Sequence, residues 1–309
     1  MGKYPIGKEF QMLKGMKLPG KPELLPVVNN FLELMRGRSD EKVIVEKQVI
    51  SGYHGGPMAV YVIKPRELAE KTPCLFDIHG GGFMMKGSPA HFMRAKEYAY
   101  KLNCRVIFPD YRLIPEHPYP IPLEDCYSAY VWMLEHKEEL QIDTQRIAIL
   151  GDSAGGNLAA ALSRLVRDRG LPMPCLQLLL YPVTDRRMQT ESMKLYTDTP
   201  VWDAKLSKLM WELYLADVNE SEDAGYASPA EAVDFSGMPP AYIEVADFDC
   251  LRDEGVLFAG KLKDAGVSVE LHKVDGSVHG YDVIMKSKTV RRFMQRRIVV
   301  LRKALQLPI

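Results

Sequence analysis

The sequence feature that most constrains the fold is a short apolar run that ends in a glycine-flanked serine and continues as a helix of small residues. Residues 147–162 read Ile-Ala-Ile-Leu-Gly-Asp-Ser-Ala-Gly-Gly-Asn-Leu-Ala-Ala-Ala-Leu. The apolar part predicts a buried strand ending at Leu150, and the part from Asn157 onward predicts a helix. The chain must therefore turn sharply around Ser153, where flanking glycines let backbone segments approach closely. Such a turn holds a serine hydroxyl above a sheet.

Apolar runs and helical patterns alternate along much of the chain. Strands are predicted at 43–50, 58–64, 73–78, 105–108, 146–150, 176–181, 241–245 and 267–274, and helices at 90–102, 123–138, 153–169 and 282–305. The first two strands form an antiparallel hairpin around a glycine-rich turn. The later alternation of strand and helix predicts an α/β fold, a mostly parallel sheet with helices on both faces.

Two segments interrupt or precede this alternation. Between Tyr181 and Pro239 it stops, and apolar residues recur there at helical spacing from Leu206 to Tyr214. A similar pattern spans residues 28–35 near the N-terminus. Each helix could be part of the core or part of a lid. An insertion between late strands lies above their carboxyl ends, which favours a lid at least as much as core.

A nucleophilic serine needs a base to accept its proton and a carboxylate to orient that base. His279 follows the last strand and is the predicted base. The other histidines considered are predicted elsewhere: His136 on a helix surface, His272 within a strand, and His91 and His117 in other loops. Asp249 lies just past the preceding strand. Asp247 in that strand's final turn and Asp253 at the start of the next helix are the alternatives. The chain order serine, acid, histidine is that of α/β hydrolases.

The end of the strand at 73–78 carries His79-Gly80-Gly81-Gly82-Phe83. Ordering three consecutive glycines costs conformational entropy, which indicates that the backbone at this place must approach another group closely, without side chains in between. The prediction is an oxyanion hole, in which two N–H groups of this loop and that of Ala154 stabilise a developing negative charge. The alternative is a flexible loop. A second pair of glycines follows His54 in the hairpin turn and is interpreted as an exposed loop.

A proline-rich loop follows the strand at 105–108. It includes Asp110 and Arg112, which could pair to hold the glycine loop in place, or could belong to a mere surface loop.

Composition limits the classes of partner. Lys+Arg and Asp+Glu each total 40, so nucleic acid and anionic membrane surfaces are not expected as partners. Five cysteines without paired spacing predict reduced thiols. Because the N-terminal residues lack an apolar signal core and no run is long enough to span a membrane, we expect a cytoplasmic protein.

Five motifs in this order resemble the hormone-sensitive-lipase-like group of bacterial α/β-hydrolase esterases. They are His79-Gly80-Gly81-Gly82, Asp110-Tyr111-Arg112-Leu113, Gly151-Asp152-Ser153-Ala154-Gly155-Gly156, Asp249-Cys250-Leu251-Arg252-Asp253 and His279-Gly280. The resemblance implies carboxylesterase activity and a sheet of eight strands. It also implies that no cofactor or metal is needed.

The same resemblance implies site residues and boundaries. Gly81 and Gly82 would supply the oxyanion N–H groups, with His79, Gly80 and Asp152 in support. Residues 1–42 and the insertion 185–235 would form a cap on a catalytic domain made of 43–184 and 236–309. One departure from the family pattern is Cys250, which stands where the family has proline.

The function expected from the sequence is hydrolysis of short- to medium-chain acyl esters by Ser153, His279 and Asp249. The partners expected are a small acyl ester and water. Amide or thioester hydrolysis and sugar deacetylation remain alternatives, because a catalytic triad acts on the carbonyl and not on the leaving group. A receptor that has lost catalysis is a further alternative. The resemblance also suggests a homodimer through the edge strand at 267–274.

Overall fold

A single sheet of eight strands organises the protein. The computed structural model describes residues 3–18, 20–68, 71–218 and 224–308. The strands are β1 Val43–Ser51, β2 Pro57–Pro65, β3 Thr72–Ile78, β4 Arg105–Asp110, β5 Ile142–Asp152, β6 Leu176–Leu180, β7 Ala241–Phe248 and β8 Val269–Val278. They lie in the order β1-β2-β4-β3-β5-β6-β7-β8.

Only β2 runs against its two neighbours, pairing antiparallel with β1 and with β4. The pairs from β4 through β3, β5, β6 and β7 to β8 are all parallel. The predicted mostly parallel sheet with an initial hairpin is therefore confirmed. Because parallel strands share one direction, the loops after β3, β5, β7 and β8 emerge at the same edge of the sheet, where ligands of open α/β sheets bind.

Helices cover both faces of the sheet. The α-helices among the described residues are α1 Leu25–Leu34, α2 Pro89–Leu102, α3 Ile121–Glu135, α4 Ala154–Asp168, α5 Glu191–Leu195, α6 Ala204–Tyr214, α7 Ala224–Ala227, α8 Arg252–Asp264 and α9 Lys288–Ala304. Alternate residues of a strand point to opposite faces. In β3, Phe76 belongs to the core that includes α3, α4 and α8, whereas Leu75 belongs to the core that includes α2 and α9.

Three local predictions need correction. The final helix begins at Lys288 and not at Asp282, because a short 3₁₀ turn, Tyr281–Val283, precedes it. His91 lies in the first turn of α2 and not in a loop, since Ser88 caps this helix and exchanges hydrogen bonds with His91.

The predicted pairing of Asp110 with Arg112 is wrong. Arg112 instead donates to the buried carboxylate of Asp125 at 2.7 and 2.8 Å, and also to the carbonyl of Tyr53. Asp110 accepts two hydrogen bonds from Arg36, at 2.7 and 2.8 Å. The reason is register: Asp110 ends β4 beside β2, whereas Arg112 has already turned toward α3.

The N-terminal segment and the insertion meet above the carboxyl edge of the sheet. The N–H of Val201 donates to the carbonyl of Met16 at 2.8 Å, and the Lys17 ammonium pairs with Asp203 at 3.2 Å. Asn29 on α1 bonds both to the carbonyl of Met84 and to the N–H of Lys86, each at 2.9 Å. Residues 219–223 of the predicted insertion lie outside the described residues.

None of the helices in the described parts of the chain is both long and apolar enough to cross a bilayer.

Candidate active site

The turn between β5 and α4 holds Ser153 in a strained backbone conformation. Its φ is +54° and its ψ is −121°, a region that side-chain-bearing residues rarely occupy. A Cβ on Gly151 would lie 2.0 Å from the carbonyl oxygen of Gly155, and a Cβ on Gly155 would lie 2.1 Å from that of Ile78. Both positions must therefore be glycine for the predicted turn to close.

Ser153, His279 and Asp249 form a continuous chain of hydrogen bonds. The Nε2 atom of His279 lies 2.8 Å from Ser153 Oγ, and its Nδ1 atom lies 2.7 Å from Asp249 Oδ2. The carboxylate accepts only, so Nδ1 carries the proton and Nε2 is free to accept the serine hydroxyl hydrogen. Ser153 and His279 are each 4% exposed, and Asp249 is fully buried.

The loops after β7 and β8 bring the acid and the histidine together. Asp249 is the first residue after β7, and the Leu251 N–H donates to its Oδ1 at 3.0 Å. His279 follows β8 directly. The alternative acids point elsewhere: Asp247 pairs with Lys273, and Asp253 accepts from the backbone N–H of Ser192.

The glycine loop after β3 lies against the serine turn. Gly81 and Gly82 have φ values of +113° and +64°, which favour glycine. A Cβ on Gly80 would lie 2.4 Å from the Asp152 carboxylate. Ala154 is the first residue of α4, so its N–H is among the helix donors that have no acceptor within the helix. Gly81 and Gly82 line the same cavity as Ser153, and Ala154 follows Ser153 directly in the chain.

A cavity of about 330 Å³ opens onto Ser153 and His279. Its walls are mostly apolar, and both the N-terminal segment and the insertion contribute to them. The apolar lining residues include Met16, Leu18, Val28, Leu32, Met85, Val201, Trp202, Val283, Met285 and Met294. A smaller polar wall contains Ser88, His91, Arg94, Asp152 and Asp282. The arrangement suits an apolar molecule with one reactive polar group beside the serine.

Comparison with known proteins identifies the family of this chain. Residues 75–283 match the family described as alpha/beta hydrolase fold. The chain belongs to the α/β-hydrolase family. It is 36% identical to the carboxylesterase NlhH of Mycobacterium tuberculosis over 272 residues, 87% of this chain and 80% of the relative. It is also 36% identical to the esterase LipI of the same species over 228 residues, 73% of this chain and 71% of the relative.

Two solved structures that resemble this chain are also esterases. A bacterial heroin esterase superimposes with a TM-score of 0.89 at 32% identity, covering 97% of this chain and 98% of that one. The esterase LipW of Mycobacterium marinum gives 0.88 at 29% identity, covering 97% and 96%. The α/β hydrolase described here is a carboxylesterase of the hormone-sensitive-lipase-like group, as its motifs indicate.

A largely buried polar cluster, consisting of Arg94, His91 and Asp77 around Asp152, supports the serine turn of the carboxylesterase. Arg94 donates to Asp152 at 2.6 Å and to Asp77 at 3.1 Å. His91 Nε2 lies 3.1 Å from the other carboxylate oxygen of Asp152. Because Asp152 immediately precedes Ser153, these contacts hold the strained turn in place.

Burial and neighbouring charges shift the pKa values of the two carboxyl groups in this cluster in opposite directions. Burial raises the pKa of Asp152, but the positive charge of Arg94 and the contact with His91 outweigh it and hold that pKa well below the usual range. Burial dominates at Asp77 and raises its pKa to about 6. Asp152 therefore stays ionised, which keeps its two hydrogen bonds intact.

Sequence reasoning missed several residues around the cavity of this esterase. His91 and Arg94 lie three residues apart on α2, so the helix predicted at 90–102 already placed them on one face, and the Ser-Pro pair at positions 88 and 89 was a further signal for the helix start. Tyr181 had no such signal. The Tyr181 ring packs edge-on against His279, with ring centroids 4.8 Å apart, and its hydroxyl donates to Asp282.

No group of three or more histidine, cysteine, aspartate or glutamate side chains in the described parts of the esterase is arranged to bind a metal ion.

His79 supports the glycine loop through packing. Its ring stacks on Tyr111 with centroids 4.4 Å apart and on Phe108 at 5.5 Å. Its Nδ1 atom lies 2.8 Å from the Gly80 carbonyl oxygen, and its own carbonyl accepts from the Tyr111 hydroxyl at 2.8 Å. Burial lowers the pKa of His79 to about 3, so the imidazole is neutral throughout the physiological range.

This shift predicts a loss of stability in mild acid. Below pH 6.5 the unfolded chain binds a proton at His79, whereas the folded chain resists protonation until about pH 3. Between pH 7 and pH 5 the unfolding free energy of the wild type should therefore fall by about 2 kcal/mol more than that of His79→Gln. Urea unfolding of both proteins at the two pH values measures the difference. Equal losses in the two proteins would contradict the assignment.

Proposed function

We propose that the esterase hydrolyses short- to medium-chain acyl esters through an acyl-enzyme intermediate on Ser153. The observation that carries this proposal is the hydrogen-bonded chain from Asp249 through His279 to Ser153, which ends at the cavity. A serine hydroxyl is a weak nucleophile on its own, and an adjacent oriented base activates it.

In the proposed first step, Ser153 Oγ attacks the ester carbonyl while His279 Nε2 accepts the hydroxyl proton. The protonated His279 then donates this proton to the alkoxy oxygen of the ester, and the alcohol departs. Water then attacks the acyl carbonyl while His279 Nε2 accepts one of its protons. His279 gives that proton to Ser153 Oγ as the bond between the acyl carbon and Oγ breaks, which releases the carboxylic acid and restores the free serine. Asp249 keeps the proton of the neutral imidazole on Nδ1 and stabilises the imidazolium that forms in each step.

The oxyanion of both tetrahedral intermediates is proposed to accept hydrogen bonds from the backbone N–H groups of Gly81, Gly82 and Ala154. The left-handed backbone at the two glycines and the position of Ala154 at the start of α4 support this role. Donors that are already in place cost no reorganisation during the reaction. One such donor typically stabilises the transition state by about 3 to 4 kcal/mol.

The size and chemistry of the cavity support a limited acyl length. At about 330 Å³ it lies at the lower end of the range for small-molecule sites, and its walls are mostly apolar. We also propose that residues 1–42 and 185–235 act as a cap, because both segments supply lining residues and meet above the site.

The experiment that tests this function combines a substrate panel with covalent labelling. Initial rates are measured for nitrophenyl esters of increasing acyl length, and for a nitrophenyl thioester, a nitroanilide and an acetylated sugar. We expect the highest kcat/KM on an ester of short or medium acyl length. We also expect a fluorophosphonate to inactivate the enzyme stoichiometrically by adding one phosphonyl group to Ser153, which mass spectrometry of peptides would locate. Faster turnover of the thioester, the amide or the acetylated sugar would contradict the proposed substrate, and unlabelled Ser153 would contradict the proposed nucleophile.

A further inference from the structure

The indole of Trp202 covers the part of the cavity where the glycine loop and the catalytic histidine come together. Trp202 is only 1% exposed and lines the cavity. Its ring centroid lies 6.0 Å from that of His279. A Cβ on Gly82 would lie 2.6 Å from the indole carbon Cη2, so the indole and the glycine loop are in direct contact. Any group of a bound ester that extends between Gly82 and His279 must meet this ring.

A chain of polar contacts fixes the orientation of the indole. Trp202 Nε1–H donates to Ser207 Oγ on α6 at 2.8 Å. Ser207 Oγ lies in turn 3.5 Å from Cys250 Sγ, in the residue that follows Asp249. All three side chains are buried. The contacts therefore link the insertion to the loop that carries the acid.

The backbone before α6 adds to this rigidity. Asp203 caps the helix by accepting from the N–H groups of Lys205 and Leu206, and Thr199 donates from its hydroxyl to the Trp202 carbonyl at 2.7 Å. The residue that carries the indole is thus held on both sides. Loss of the Ser207 hydroxyl would leave a buried indole N–H unpaired and favour another rotamer.

From these contacts we propose that Trp202 is a specificity-determining residue that limits the size of the ester group between Gly82 and His279, and that Ser207 and Cys250 are positioning residues for its indole. The proposal rests on the proposed ester hydrolysis and adds the element that selects among esters. It gives a role to Cys250, the position at which the chain departs from its family: a thiol can contact the Ser207 hydroxyl, which a proline ring cannot.

The test compares substrate profiles and not single rates. We would measure kcat and KM for Trp202→Leu, Ser207→Ala and wild type on two series, nitrophenyl esters of increasing acyl length and acetate esters of increasingly bulky alcohols. For Trp202→Leu we expect the ratio of kcat/KM for the bulkiest ester to that for the smallest to rise about tenfold or more in one series. The series that responds identifies the ester group that the indole contacts. Ser207→Ala should shift the same series in the same direction by a smaller factor.

The matched control is Trp211→Phe, which alters a second buried tryptophan, on α6 but not among the cavity-lining residues. Its substrate profile should equal that of the wild type. If Trp202→Leu does not fold, as judged by its thermal transition, Trp202→Phe replaces it, with the same direction expected. The proposal is overturned if all esters change by a common factor, or if Trp211→Phe alters the profile equally. Hydrolysis that persists unchanged in Ser153→Ala would instead overturn the proposed function.

Discussion

Replacement of Ser153 by alanine is expected to lower kcat for ester hydrolysis by about 10⁵- to 10⁶-fold while the protein stays folded. The substitution removes Oγ, the proposed nucleophile, and with it the contact with His279 Nε2 at 2.8 Å. Removal of the nucleophile from a serine triad costs nearly as much as removal of the whole triad. The measurement is kcat on the best nitrophenyl ester, with purified wild type assayed in parallel.

Ser163→Ala is the matched control for this experiment. Ser163 lies on the same helix α4, is also buried, and donates to the Ala159 carbonyl within the helix. The control should therefore keep its kcat near the wild-type value. A Ser153→Ala protein with more than about a hundredth of wild-type kcat would contradict nucleophilic catalysis at this residue.

Replacement of Asp249 by asparagine has the second largest expected effect, a fall in kcat of about 10⁴-fold. The carboxylate lies 2.7 Å from His279 Nδ1 and accepts a hydrogen bond from its N–H. An asparagine amide can donate at the same place, which would leave the imidazole proton on Nε2, where it blocks acceptance of the serine hydroxyl hydrogen. KM should change little, because Asp249 is buried and is not among the cavity-lining residues.

Asp247→Asn serves as the control, since it makes the same chemical change two residues away. Asp247 pairs with Lys273 and accepts from the Gly276 N–H, so the variant should retain most of its kcat. If the two variants exchanged their effects, the acid would be Asp247. A normal kcat in Asp249→Asn would remove the carboxylate from the mechanism.

The predictions that depended on short segments agree with the structure. A side chain at Gly151 would collide with the backbone of Gly155, and one at Gly155 would collide with the backbone of Ile78 at the end of β3. The first of these contacts lies within the motif itself, so the local sequence was enough to predict a glycine there. The alternation of strands and helices predicted the parallel sheet because burial on both faces leaves long apolar runs. Separate loops that follow parallel strands meet at one edge of a sheet, so Ser153, Asp249 and His279 could be proposed as neighbours before their distances were known.

Pairings between side chains on different elements were not predictable in the same way. Asp110 and Arg112 are close in sequence and opposite in charge, yet each has a different partner because one ends a strand and the other has turned toward a helix. His91 was assigned to a loop although it is in the first turn of α2 and contacts Asp152. Which partner a charged side chain finds depends on the packing of distant elements, and a linear pattern does not contain that information.

The amino-acid sequence by itself determined the fold family, the serine turn and the order of the candidate catalytic residues, because these depend on periodicity, glycine positions and motifs within short segments. Only the tertiary structure decided the walls of the cavity, the cluster around Asp152, and the contacts that link Trp202 through Ser207 to Cys250. The physical reason is that these contacts join side chains far apart in the chain, and their geometry is set by how helices pack on the sheet.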